Sequence, residues 1–426
     1  MVVMLAGFAR RAFALDLRSL AVMRVAVACA VLLDLFTRAV HLREHYSDDG
    51  VLPREVARSV SWLVDTSLLT LSGSVIWVGI VFALAIALAL AVALGWRTQL
   101  TTVLLWLVML SIQHRNPHLW DHRDALFSIA LVNGALLPWG AAFSFDARGP
   151  ATTRYTGVPA AAYVLQIGAI YLFAALLKTG PEWRSDFTAV EHAVNIGYWA
   201  NPAARILVEH PSISAVLTVA VLAFEAAVLP LLLVPSRYAR WLVVLGLVAL
   251  QVGFAVFLWL DTFPMISAAM TLGLLPWSRS SPVVEPSRAR NGIALALIVY
   301  VLGLNLWMGS TFAHRPAELF GVEQRWTMFA PAPSRLDGYF TIEARSGEHV
   351  IDLLTHGAPR TSMRDGIRTT RELVYLRRLL AMEPASRHAY AAARCTPEVE
   401  SIAIRFEPTL AGVRQPSEIL VEHRCR

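Results

Sequence analysis

The stretch AAAYVLQIGAIYLFAALLK, residues 160–178, decides how this chain is read. Ala160 to Leu177 carries no charge, and at about 1.5 Å per helical residue it nearly crosses a hydrocarbon core of about 30 Å. The run closes on Lys178, the single lysine among 37 lysines and arginines. That imbalance matters chemically. Arginine keeps its proton in a protein, whereas a desolvated lysine can become a neutral base or nucleophile. Codon usage favouring arginine, with Lys178 as a snorkelling interfacial anchor, is the plain reading. A catalytic base at the membrane surface is the sharper one, and the surrounding sequence has to carry it.

Composition sets the chain apart from ordinary soluble proteins. Of 426 residues, 56% are hydrophobic and only 16% charged, and 13 Trp, 10 Tyr and 18 Phe suit interfacial aromatic belts. A formal charge of +6 is modest, and no basic cluster with interleaved aromatics makes a nucleic-acid groove, so no nucleic acid is expected as partner. The first apolar stretch, Met1–Ala9, ends at Arg10-Arg11 and is short for a cleavable leader, so the next hydrophobic segment is expected to anchor the chain. Three cysteines exclude a thiolate metal cage.

Apolar runs measured against the ~20 residues of a span give about nine transmembrane helices. They lie near Leu20–Val40, Val75–Leu94, Leu100–Ile112, Ala125–Phe143, Ala160–Leu177, Ile213–Val234, Trp241–Leu260, Phe263–Pro276 and Ile293–Met308, the third and eighth being short. Loop charge orients them. With the N-terminus cytoplasmic, the inner loops hold Arg10, Arg11, Arg18, Arg97, Arg148, Arg154, Arg237, Arg240, Arg279, Arg288 and Arg290 against only Asp16, Asp146 and Glu285. The acids Asp48, Asp49, Glu55, Asp121, Asp124, Glu182, Asp186, Glu191, Glu209 and Asp261 fall in outer loops. This is the positive-inside pattern. An odd number of spans then puts the C-terminus outside a cytoplasmic (cell inner) membrane.

The expected fold is therefore an all-α polytopic membrane bundle, residues 1–309, with a small extracytoplasmic α+β tail, residues 310–426. Alternation in Tyr339–Ala344, His349–Leu353, Ser401–Phe406 and Glu418–Val421 reads as strands, and Leu373, Leu376, Leu379 and Leu380 form a helical stripe. Cys395 and Cys425 both fall in the exported tail and are expected to pair, whereas Cys29 reads as a small buried hydrophobe of the first span.

Three polar segments converge on the outer face in this topology: His41–Gly50, His114–Asp124, and Lys178 through His192 to His210. The spacings His41/His45 and His118/His122 would put two imidazoles on one helical face. Loop composition, Pro117 and the lack of a metalloprotease motif favour solvated histidines, so no metal is expected. Acid–base use fits better, with a histidine beside Lys178 and an apolar wall from Phe173 to Leu177 both favouring the neutral amine. Charged residues within spans are functional or pairing candidates. Asp34 and Arg38 stand i,i+4 and suit each other. Glu225 has no local partner, so either it is protonated or it meets a cation such as Arg24 from another helix.

At these residues the chain resembles a known family. Asp16-Leu17-Arg18-Ser19-Leu20, then Arg24, Asp34 and Arg38, then Tyr46–Pro53, are similar to the N-terminal signature of the horizontally transferred transmembrane (HTTM) family, whose relatives include the vitamin K-dependent gamma-carboxylases. The likeness runs on through Asn116-Pro117, Leu137-Pro138, Phe143–Asp146, Tyr171–Trp183, Glu225, Leu274–Pro276 and Trp326–Pro331. The resemblance implies a reduced quinone, vitamin K hydroquinone or menaquinol, as cofactor. It implies that Lys178 acts as base, assisted by a histidine that falls on or near His122. Arg24, Asn116, Trp183 and Glu225 are implied for substrate binding, and a peptide or protein glutamate for the final carboxylation. Two departures stand against the last step. Gln251 occupies a position where many relatives carry histidine, and the chain lacks the long lumenal part of animal carboxylases. A non-catalytic membrane protein that binds lipid or peptide is the alternative. A transporter ranks third, because the broken-helix repeats of transporters are missing.

Overall fold

The computed structural model describes residues 11–148, 154–277, 283–284, 286–306, 311–360, 362–410 and 412–425. Helices α1 (Leu17–Ala39), α2 (Leu42–Tyr46), α3 (Val75–Leu94), α4 (Thr98–Arg115), α5 (His122–Leu136), α6 (Val158–Leu177), α7 (Pro211–Leu233), α8 (Arg237–Phe257), α9 (Phe263–Thr271) and α10 (Arg288–Leu306) build the bundle. Among the described residues, five of them (α1, α3, α6, α7 and α8) are long and apolar enough to cross a membrane. Their outward faces confirm the setting. Ile76, Ile80 and Leu84 on α3, Val216 on α7 and Leu245 on α8 are exposed, although nothing but lipid would reward that.

Nine spans were expected, and the other four segments fall short for identifiable reasons. Helix α4 carries Thr98, Gln99, Thr101, Thr102, Ser111 and Gln113, many of them buried. Helix α5 stops at Leu136 before Pro138, well short of Phe143, because proline lacks the donor a helix needs. Helix α9 and its 3-10 extension give only Phe263–Leu274, and α10 opens with Arg288, Arg290 and Asn291.

Local chemistry sets the helix ends. Asp16 caps α1 by accepting from Arg18 N at 2.9 Å, and Ser74 caps α3. Helix α3 ends on Gly95 at φ 70, where a Cβ would also strike Ser144. Asp121 and Asp124 form a capping box at α5.

Strands β1 (Leu15–Asp16), β2 (Arg154–Tyr155) and β3 (Val283–Val284) meet in one small sheet. It stitches together three loops that the arginine pattern assigns to a single side. Arg240 joins them there, donating to the carbonyl oxygens of Ala14 at 2.7 Å and Ala12.

The tail forms an antiparallel sheet of β4 (Leu336–Ser346), β5 (His349–Asp352), β6 (Ser401–Leu410), β7 (Val413–Arg414) and β8 (Glu418–Arg424), ordered β5-β4-β6-β7 with β8 also on β6. Every strand expected from alternation is present. The buried face is set by register: Phe340 opposes Phe406, Ile342 opposes Ile404 and Ala344 opposes Ile402. The leucine stripe forms α11 (Thr370–Arg378), and a second helix, α12 (Pro384–Ala392), carries no apolar periodicity strong enough to have been read. Cys395 and Cys425 are joined with their Cα atoms 5.5 Å apart. Cys29 corrects the sequence reading: it is exposed on the outward face of α1.

The tail is not a loosely tethered module. Its hydrophobic core is continuous with that of the bundle, running from Leu119 and Tyr46 to Tyr375 and Leu376. It sits on all three polar segments: Arg394 on Glu44 at 2.8 Å, Ser386 on His118 at 3.2 Å, and Arg335 on Glu182 at 2.9 Å.

Candidate functional site

Helix α6 delivers Lys178 to the end of an apolar cavity between α6, α7 and α8. The helix terminates there because Thr179, Gly180 and Pro181 follow, and Arg184 takes the last carbonyls, donating to Lys178 O at 2.8 Å and Ala175 O at 3.0 Å. Gly180 donates to Pro331 O at 2.9 Å, and a Cβ at Gly180 would press on the same oxygen at 2.9 Å. The loop after the bundle therefore lies directly over the lysine.

The anchor reading of Lys178 fails on burial. A snorkelling lysine keeps its ammonium in water. Lys178 is 4% exposed, and its Nζ donates to Glu225 Oε2 at 2.6 Å. Glu225 thus does meet a cation from another helix, but that cation is Lys178 and not Arg24. The Trp183 ring completes the setting, its centroid 5.1 Å from Nζ, while its indole N–H donates to Phe329 O at 2.9 Å.

The cavity holds about 380 Å³ and is walled mainly by aliphatic and aromatic side chains, including Ile170, Phe224, Phe254 and Phe257. Its polar groups are few. Besides the Lys178–Glu225 pair there are Tyr171, Ser267 and Gln251. Gln251 Nε2 donates to the Tyr171 hydroxyl at 3.2 Å, whereas its buried Oε1 has no hydrogen-bond partner among the described residues. A buried orphan acceptor is costly and calls for a donor from a ligand or water. Sequence reasoning registered Gln251 only as a departure from relatives and missed Tyr171 as its partner. The signal was available, since Tyr171 opens the family-like stretch ending at Trp183.

The other expected site residues divide. His122 lies on a second cavity of about 330 Å³, with Arg123, Tyr198, Trp199 and Thr370. It is not the hydrogen-bond partner of Lys178; Glu225 holds that position. Burial pushes the His122 imidazole below its ordinary value, which keeps it neutral. The two cavities share Phe263, Met328 and Phe329 as a common wall. Arg24 is buried elsewhere and donates to the carbonyls of Trp139 at 2.9 Å and Phe143 at 2.6 Å, so it ties loops together. Asn116 lines neither cavity: its Nδ2 donates to His45 O at 3.0 Å and its Oδ1 accepts from His118 N at 3.2 Å. His41, His45 and His118 were expected in solvent, but all three are buried under the tail.

Asp34 and Arg38 pair as expected, at 2.6 Å, yet they belong to something larger. Arg38 also reaches Asp124, and Arg371 of the tail enters between the two acids, 2.6 Å from Asp34 and 3.1 Å from Asp124. All four side chains are at most 2% exposed.

Comparison with curated proteins and with solved structures gives no match. A family model does match, that of the HTTM domain, over residues 14–276. This covers α1 through α9, with Lys178, Glu225 and Gln251 all inside it. Matched over more than half its length, the chain belongs to the HTTM family.

Proposed function

We propose that the protein is a polytopic membrane enzyme that binds a reduced quinone in the α6–α7–α8 cavity and deprotonates it with Lys178. One observation carries this reading: the Lys178–Glu225 pair lines the same apolar cavity as Gln251, whose buried Oε1 has no hydrogen-bond partner among the described residues. Apolar walls suit a ring and an isoprenoid tail, and the orphan acceptor suits a hydroxyl donor. A charge-separated lysine–glutamate pair and its neutral tautomer differ by one proton shift along the 2.6 Å hydrogen bond. The neutral tautomer is a base. Nζ takes the hydroxyl proton, the quinol becomes an anion, and the new ammonium stays beside Glu225 and the Trp183 ring. His122, behind the shared wall, would act as a second acid–base group on the neighbouring cavity. Carboxylation of protein glutamate rests on the family likeness alone.

Gln251, in place of a histidine of many relatives, favours a second reading in which the cavity holds a membrane lipid or peptide without turnover. Lipid extracted from purified protein, examined by ultraviolet absorbance and mass spectrometry, should yield about one quinone per chain. Gly253→Trp should abolish this, because a Cβ there meets nothing within 4 Å and the indole would fill the cavity. Quinone retained equally by Gly253→Trp, or none in the wild type, would defeat the proposal.

We further propose nine spans with a cytoplasmic N-terminus and an extracytoplasmic tail in the bacterial inner membrane. The arginine asymmetry and the disulfide of the tail support it. Thiol labelling of unfolded, unreduced protein should find Cys29 alone. Three reactive thiols would place the tail in a reducing compartment.

A further inference from the structure

Beneath the tail, away from the quinone cavity, lies a cluster that the proposed chemistry does not use. Helix α2 puts His41, Glu44 and His45 together at the end of α1. One ligand atom from each lies within 4.8 Å of the others. His41 is 6% and His45 2% exposed. Among the described residues neither ring nitrogen of His45 makes a hydrogen bond; the ring stacks between His41, at 4.8 Å, and Tyr375, at 5.8 Å. His41 Nδ1 lies 2.9 Å from Glu44 Oε2, while its buried Nε2 has no hydrogen-bond partner among the described residues.

We propose that His41, Glu44 and His45 form a binding site for a transition-metal dication of the zinc class. Two imidazoles and one carboxylate are a ligand set such ions favour, with at least one coordination position left open. The surroundings are those of a metal centre. When Nδ1 of His41 ligates, the proton sits on Nε2, which faces Glu372 Oε2 at 3.5 Å. This is the side from which an outer carboxylate orients a metal-bound histidine. The second oxygen of Glu44 is held by Arg394 at 2.8 Å, which fixes the ligating carboxylate in turn. Glu44 and Glu372 place two carboxyl groups beside the cluster, with the guanidinium of Arg394 on Glu44. Glu372 and Arg394 come from the tail, so the bound ion would fasten tail to bundle.

Full-length protein in detergent, stripped by chelator, is titrated with Zn²⁺, and bound metal is counted by mass spectrometry. One equivalent should bind. Co²⁺ in its place should give the intense visible bands of a four- or five-coordinate site. His45→Gln should abolish uptake, Glu372→Gln should weaken it about 10- to 100-fold as outer-shell changes do, and the buried control His118→Gln should bind normally. The Co²⁺ spectrum of the wild type and Glu372→Gln decide the matter even if His45→Gln does not fold. Less than stoichiometric zinc in the wild type, a weak octahedral Co²⁺ spectrum, or unchanged affinity in Glu372→Gln would overturn the proposal.

Discussion

Lys178→Arg should lose turnover of a reduced quinone by about 10²- to 10⁴-fold, the usual contribution of a positioned general base, while the protein still folds. Guanidinium reaches Glu225 and stacks on Trp183 as well as ammonium does, so the buried pair survives. What it cannot do is give up its proton. Lys178→Met isolates the second half of the argument. It leaves the Glu225 carboxylate buried without a cation, which costs about 3–5 kcal/mol, and Lys178→Met/Glu225→Leu should recover much of that loss. The assay is oxygen-dependent consumption of menaquinol by detergent-solubilised protein, with a melting curve beside it. Wild-type turnover in Lys178→Arg would rule out the base and leave a binding protein of the same family. Inactive Lys178→Arg that also melts early would instead show the pair to be structural.

Arg371→Met should be the most damaging single change outside that cavity. The guanidinium meets Asp34 at 2.6 Å, Asp124 at 3.1 Å and the Leu119 carbonyl at 3.2 Å. Without it the two buried carboxylates keep one shared ion-pair partner among the described residues, Arg38. Breaking one partner out of a buried ionic group costs about 3–5 kcal/mol, most of it the desolvation of the charge left behind. The expected result is loss of monodisperse protein after extraction. Arg371→Met/Asp34→Asn should restore part of it, because the surplus charge is gone. A single variant that purifies and melts like the wild type would show that water reaches the two acids and that the network is not a lock.

The bundle was legible because its signal is local. Apolar runs and the arginine asymmetry depend on composition along the chain, and so do the alternating strands of the tail. The site was half legible. Lys178 stood out as the one lysine, and Glu225 as a lone acid in an apolar run, yet nothing in either neighbourhood says that they meet across 47 positions. Arg24 was the wrong partner for a clear reason: a buried arginine can be satisfied by carbonyls alone, and such carbonyls leave no mark in sequence. The histidines misled similarly. Polar residues in loops look solvated until a domain more than 300 residues later covers them, as Arg394 covers Glu44. Length and apolarity support five spans among the described residues, and the other expected ones fall below that mark where helices bury polar faces, as α4 does, since hydropathy measures composition and not surroundings.

The Arg371–Asp34 contact also has a history in time. The two residues are 337 positions apart. A ribosome adding roughly 5–20 residues per second needs on the order of tens of seconds to travel that distance. Throughout that interval α1 is already synthesised, and among the described residues its acid has Arg38 as its one ion-pair partner. The nascent bundle is thus an unfinished object until the last quarter of the chain has emerged and returned to it. A ribosome that stalls before residue 371 leaves behind a membrane protein with surplus buried charge, the kind of defect that membrane proteases recognise and clear.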